Sequence, residues 1–202
     1  MSDPQEYSAV LLFGYPGSGK GTQGQVLGQM PNLLHLAMGD IFRALDKQSD
    51  IGQEFLSYAG KGLLVPDELT IRVWKQHVEG LVRQGLYEPG YHTLLLDGIP
   101  RTPKQVELMG HLIEVRKIIH LVILNEDALI ARLSGRAKKS NRPDDADPDV
   151  IRKRIVVYKA ETSPVLDAYD DGVVADVNAD QHPLAVLRDI AQVLKDVVSG
   201  NL

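Results

Sequence analysis

Lys20 follows a run of glycines in FGYPGSGKGTQ, residues 13 to 23, and an ammonium in that setting is suited to holding phosphate. The spacing GxxxxGK is met by Gly14, Gly19 and Lys20, directly after the apolar run SAVLLF. Glycines let the backbone wrap so closely that successive N–H groups point inward at an anion, and the helix expected after the loop adds its positive end. The alternative is a strand-to-helix turn with a solvated lysine. Four glycines, a strand before them and a helix after them favour the phosphate cradle.

Other groups could serve the same chemistry. Asp97 ends the apolar run TLLLD, so it emerges at the carboxyl edge of a sheet, where a carboxylate can hold Mg²⁺ through water. Arg43 lies in MGDIFR (38 to 43), and Arg101 and Gln105 lie in LLLDGIPRTPKQ (94 to 105). Arginine's planar fork binds phosphate oxygens in pairs and keeps its charge at any physiological pH. A further set follows: Arg132 and Arg136 four residues apart on one helical face, Arg142 in the polar stretch AKKSNRPDDAD, and Arg154 on the next helix. A solvated basic surface laced with Asp is the alternative for that cluster.

These side chains need a scaffold, and the hydrophobic pattern supplies one. Apolar runs at 9 to 13, 33 to 37, 93 to 97, 118 to 124 and 172 to 177 show little alternation, as strands buried on both faces require. Helices are expected near 20 to 30, 39 to 47, 51 to 59, 67 to 84, 103 to 115, 126 to 137, 148 to 168 and 183 to 198. The class is α/β with a parallel sheet, and 202 residues suit a single domain over 1 to 202. Residues 38 to 67 and 137 to 147 interrupt the alternation as appendages on the sheet.

Composition narrows the setting. With 44% hydrophobic and 24% charged residues and no apolar run near the ~20 needed to span a bilayer, no membrane association is expected. A net charge of -5 argues against generic nucleic-acid binding. MSDPQEY lacks the marks of a signal peptide and cysteine is absent, so no disulfide or thiolate zinc site is possible and the cytoplasm is the expected address. The six histidines show no pair at metal-ligand spacing.

In GKGTQ, Gly21 replaces the usual Ser or Thr after the lysine, and the hydroxyl comes one residue later as Thr22. That ending, with MGDIFR, DGIPRTPKQ and the stretch from Arg132 to Val165, resembles nucleoside monophosphate kinases, in particular short-lid adenylate kinases, over nearly the whole chain. The resemblance implies a P-loop NTPase fold, a five-stranded parallel sheet flanked by helices, with a small mobile NMP-binding segment at 38–67 and a short mobile lid at 137–147. It implies reversible transfer of the γ-phosphoryl group of ATP to AMP, giving two ADP, in a monomer that uses Mg²⁺ and has no structural zinc.

The same resemblance distributes the residues. ATP would meet Gly17, Ser18, Gly19, Lys20, Gly21 and Thr22 at its phosphates, Arg132 and Arg136 from the donor side, and the loop at Gln181 at its base. AMP would meet Met38, Gly39 and Arg43, then Leu63 and Val65 through their backbone, then Gly98, Arg101 and Gln105. Arg142 and Arg154 would reach the phosphates of both nucleotides. Lys20, Arg101, Arg136, Arg142 and Arg154 would surround the transferring group, with Asp144 and Asp145 orienting the arginines. Asp97 would hold Mg²⁺ through water, and Thr22 would stand near that water shell.

Two departures bear on the acceptor. Gln105 matches adenylate members, which pair it with adenine, whereas UMP/CMP kinases usually carry Asn there. Met38 stands where adenylate kinases usually have Thr and UMP/CMP kinases Ala, and a thioether cannot donate the threonine's hydrogen bond. Ile99 replaces the usual aromatic residue of DGFPR. A UMP/CMP kinase, and a nucleotide-sensing module without turnover, are the competing readings.

Overall fold

Strands buried on both faces belong inside a sheet covered on both sides, and the computed structural model, which describes residues 6–137, 145 and 147–198, has that architecture. Strands β1 (Tyr7–Gly14), β2 (Leu33–Ala37), β3 (Thr93–Asp97), β4 (Ile113–Val122) and β5 (Val174–Asn178) form one parallel sheet in the order β2-β3-β1-β4-β5. β1 lies at its centre, pairing with β3 and β4.

Alternate residues of each strand feed two separate cores. Ala9, Leu11, Leu94, Leu96 and Ile118 face Val73, Trp74 and Val78 of α4 (Asp67–Arg83) and Met109 of α5 (Pro103–Met109). Val10, Leu12, Leu95 and Ile119 face the other side. There they meet Leu27 of α1 (Lys20–Leu27), Leu129 and Leu133 of α6 (Glu126–Ala137), Ile151 and Ile155 of α7 (Pro148–Val157), and Ile190 and Leu194 of α8 (Pro183–Val198). Two further helices, α2 (Met38–Ala44) and α3 (Asp50–Ala59), lie between β2 and α4.

Local chemistry sets the helix ends. Helix α4 starts after Pro66, carries Asp67 and Glu68 in its first turn and Arg83 in its last, and so complements its own dipole. Helix α5 starts with the Thr102 hydroxyl accepting from the Gln105 N–H, and α7 with the Asp147 carboxylate accepting from the Asp149 N–H.

Three expected boundaries shift. The helix expected over 103 to 115 stops at Met109, and β4 begins at Ile113, earlier than the apolar run suggests. The first half of β4 is only half-covered, with Glu114 and Arg116 exposed and Lys117 partly buried, and these charges break the apolar signature. The helix expected over 148 to 168 ends at Val157 and continues as a π-helical turn (Tyr158–Thr162) and a 3-10 turn (Ser163–Ala168). Pro164 cannot donate to an α-helical ladder, which accounts for the change of winding.

Parallel strands align their carboxyl ends, and this places the loop after β1 beside the end of β3. Leu12 is level with Asp97 across the β1–β3 ladder. A crevice forms there because the chain crosses to opposite sides of β1 to build β3 and β4.

Candidate active site

The glycine loop turns in a way that only glycine permits. Gly14, Gly17 and Gly19 have φ of 141°, 87° and 102°, and a Cβ on Gly14 would stand 2.7 Å from both the Leu121 carbonyl oxygen and Ser18 Oγ. Gly19 caps α1 in the left-handed conformation, so the free N–H groups of the first turn open onto the crevice. Lys20 begins that helix and its Nζ turns back onto the loop, donating to the carbonyl oxygens of Gly14 at 2.7 Å and Tyr15 at 3.1 Å.

Charge gathers around this lysine. Desolvation pushes the Lys20 ammonium down to about 8, Asp97 pulls it back up, and Arg101, Arg154 and Arg136 push it further down. Desolvation and the Arg154 guanidinium likewise lower Arg101, against the attraction of Asp97. The cations repel one another across a space that an anion can fill.

At the other end of the crevice, the Arg101 side chain donates from Nε to the Gly98 carbonyl at 3.0 Å. Its backbone N–H donates to Gln105 Oε1 at 2.7 Å, and Gln105 Nε2 donates to Asp67 Oδ1 at 2.8 Å. Thr102 Oγ1 also donates to Asp67 Oδ1, at 2.9 Å. Arg43 is paired with Asp40 at 2.6 Å on helix α2, which opens at Met38, a buried side chain.

A buried carboxylate joins two members of the third arginine group. Asp145 is fully buried and receives Arg136 through Nε at 2.6 Å and Nη2 at 3.0 Å, and Arg154 through Nη1 at 2.5 Å. It thereby holds the end of α6 against α7, with both forks at the crevice. Arg132 donates to the Ala179 carbonyl at 3.1 Å, close to Gln181, whose carboxamide donates to the Asn178 carbonyl and the Asp189 carboxylate.

Most of these groups line one cleft of about 950 Å³, and Asp67, Thr102 and Asp145 hold members of its lining from outside it. Its walls include Gly17, Ser18, Gly19, Lys20, Gly21 and Thr22 of the loop, and Arg132, Arg136, Arg154 and Gln181 on one side. Met38, Gly39, Arg43, Leu63, Val65, Asp97, Gly98, Arg101 and Gln105 complete it. Among the described residues, six basic side chains face two acidic ones there, Asp40 and Asp97, in a chain whose net charge is -5. A cleft so charged suits a polyanion. Arg142 and Asp144 lie outside the described residues, as does most of 137 to 147.

Sequence reasoning missed four participants. Tyr15 and Tyr158 pack with ring centroids 4.5 Å apart, joining the glycine loop to the turn after α7, and nothing in the sequence pairs residues that far apart. Asp67 was legible only as a helix-start acid. Thr102 had a signal, since T-x-x-Q is the capping-box pattern, here displaced so that Gln105 accepts from the N–H of Arg101.

Comparison with known proteins agrees with this geometry. The family model for adenylate kinase matches residues 12–173. A protein named adenylate kinase from Cyanothece sp. is 39% identical over 79% of this chain and 80% of its own length. One of the same name from Kocuria rhizophila is 36% identical over 84% of this chain and 89% of its own, and one from Dehalococcoides mccartyi 31% over 95% and 96%. The matched region spans the glycine loop, the Gln105 network and the Asp145-bridged arginines, and the chain belongs to the adenylate kinase family of phosphotransferases.

Proposed function

We propose that the protein catalyses reversible, Mg²⁺-dependent transfer of the γ-phosphoryl group of ATP to AMP, giving two ADP, and so balances adenine nucleotides. The observation that carries this is one cleft with a phosphate-binding loop and its lysine at one end, a glutamine carboxamide at the other, and Arg101, Arg136 and Arg154 around it. ATP enters on the side of the loop, Arg132 and Gln181. AMP enters between α2, residues Leu63 and Val65, and the Gly98–Gln105 turn.

Charge dominates the reaction. Two unit charges 4 Å apart repel by ~4 kcal/mol at an effective dielectric of about 20, and several phosphate charges meet here. Lys20 and the arginines offset that repulsion, most strongly when charge moves between the nucleotides, so they favour the transition state. The acceptor phosphate is already ionised at neutral pH, so no general base is needed.

The donors present fit Mg²⁺. Asp97 ends β3 with Oδ2 3.8 Å from where a Cβ on Gly21 would lie, at the mouth of the loop, and Thr22 is one residue further along α1. Among the described residues no cluster of three acidic or imidazole ligands exists, and a single carboxylate suits an ion brought in on phosphate oxygens with its water shell. Bound there, the ion would add positive charge at the phosphates.

Water could attack the same phosphorus, so segment 38–67 and the lid at 137–147 are proposed to close over the nucleotides. No described helix is long and apolar enough to cross a membrane. A cytoplasmic monomer remains the reading drawn from sequence.

The test is ADP formation from Mg·ATP with AMP, UMP, CMP or GMP as separate acceptors at matched concentrations. Clear preference for AMP is the expected result. Preference for UMP or CMP would make Met38 the determinant and replace the acceptor, and nucleotide binding without turnover would favour a sensing module.

A further inference from the structure

We infer that Asp67 is a positioning residue that fixes which way round the Gln105 carboxamide presents its donor and acceptor to the acceptor base. This rests on the adenylate kinase reading, and within it names a residue that sets base specificity from outside the cleft.

Gln105 is 2% exposed and its amide is held at both ends. The Arg101 backbone N–H can only donate, so the atom facing it at 2.7 Å must be the carboxamide oxygen. The nitrogen then faces Asp67 Oδ1, 2.8 Å away. That oxygen takes a second bond from Thr102 Oγ1, whose hydroxyl also accepts from the Gln105 N–H at 3.1 Å. Rotating the carboxamide by half a turn would set oxygen against carboxylate and NH₂ against an N–H donor. Two bonds would become two repulsions.

A carboxamide has two N–H donors and two acceptor lone pairs, and each end has one partner here, so one N–H and one lone pair remain. Adenine offers an acceptor at N1 beside a donor at the 6-amino group, which this remaining pair matches in one orientation only. Hypoxanthine offers the reverse, a donor at N1 beside an acceptor at O6. With the orientation locked by Asp67, AMP is read and IMP is opposed. Without Asp67 only the Arg101 N–H opposes half a turn of the carboxamide, so the flipped form becomes accessible and IMP is opposed less strongly.

The lock spans 38 residues of sequence and joins the start of α4 to the start of α5. Both bonds fall on the same oxygen of Asp67, so an asparagine can keep them through its own Oδ1. Alanine or serine cannot reach Gln105. This separates the acceptor geometry from the mere presence of a side chain.

The experiment measures kcat/KM for AMP and IMP with Mg·ATP in wild type, Asp67→Ala and Asp67→Asn, with KM for ATP and the urea midpoint recorded for each. Expected is about a tenfold fall in the AMP:IMP ratio in Asp67→Ala with KM for ATP unchanged, and retention of the wild-type ratio in Asp67→Asn. Asp67→Ser serves the same comparison if the alanine variant does not fold. An unchanged ratio in Asp67→Ala or Asp67→Ser, beside wild-type turnover of AMP, overturns the inference alone, as does an equal fall in Asp67→Asn. Wild-type protein that does not turn over AMP overturns both the kinase reading and the inference.

Discussion

Lys20 Nζ lies 2.7 Å from the carbonyl oxygen of Gly14, so the cation of the glycine loop is folded onto the loop's own backbone. Burial pushes this lysine down to about 8, Asp97 pulls it back up, and Arg101, Arg154 and Arg136 act against its charge. The charge that suits the cleft for phosphate is therefore held at a cost to the free protein.

Replacing that charge should separate stability from activity. Lys20→Met keeps the length of the side chain and removes the desolvated ammonium. We expect the unliganded variant to be roughly 1–2 kcal/mol more stable, allowing for partial access to water, and turnover to fall by at least about 100-fold. Urea midpoints and ADP formation measured on one preparation check both halves.

The lowered Lys20 also predicts a pH dependence. Its folded-state value is about 8 against 10.5 ordinarily, so between these pH values the unfolded chain holds the extra proton. Stability of the unliganded protein, taken relative to Lys20→Met, should rise with pH across that window. Binding behaves oppositely, because phosphate needs the charged lysine: kcat/KM for ATP should fall as pH rises through about 8. Bound phosphate holds the proton on, so kcat should lack that inflection.

Asp145 is a buried carboxylate shared by Arg136 and Arg154. Asp145→Asn removes the buried negative charge that Arg136 and Arg154 share and loosens α6 from α7. Both arginines are partly exposed, so the expected loss is roughly 1–3 kcal/mol of stability, with kcat falling by about tenfold or more. Added salt should recover part of the stability by screening the two cations, and a thermal-melt series in NaCl reads this directly.

Helix α1 approaches β2 at Gly24, where a Cβ would lie 2.3 Å from His35 Nε2 and 2.6 Å from its Cδ2. Gly24→Ala should therefore cost about 1–3 kcal/mol and raise KM for ATP, because α1 carries the loop. His35→Ala in the same chain should return most of the stability. A double-mutant cycle on urea midpoints gives the coupling, and simple additivity would contradict the packing account.

Much of this protein was legible in one dimension where the determinant is local. Apolar runs marked β1 and β3 because strands buried on both faces tolerate few polar side chains, whereas the half-covered start of β4, with Glu114, Arg116 and Lys117, carried no such mark and was read as the end of a helix. The glycine loop and Asp97 could be placed because a strand end, a positive-φ turn and a helix start follow one another along the chain. Arg101, Arg136 and Arg154 were singled out by resemblance to family motifs, which names candidates without the bonds that hold them.

Tertiary structure alone decided those partners. Asp67 on the Gln105 carboxamide and Tyr15 against Tyr158 each bring together groups from different elements, and for Asp145, which the family resemblance already set beside the arginines, the fold decided the bonds to Arg136 and Arg154. The sequence by itself determined the kind of sheet, the phosphate loop and the supply of cations, since periodicity, backbone freedom and charge belong to neighbouring residues. Orientation depends on which hydrogen-bonding groups meet across the fold, and that is settled only when helices pack on both faces of a closed sheet order.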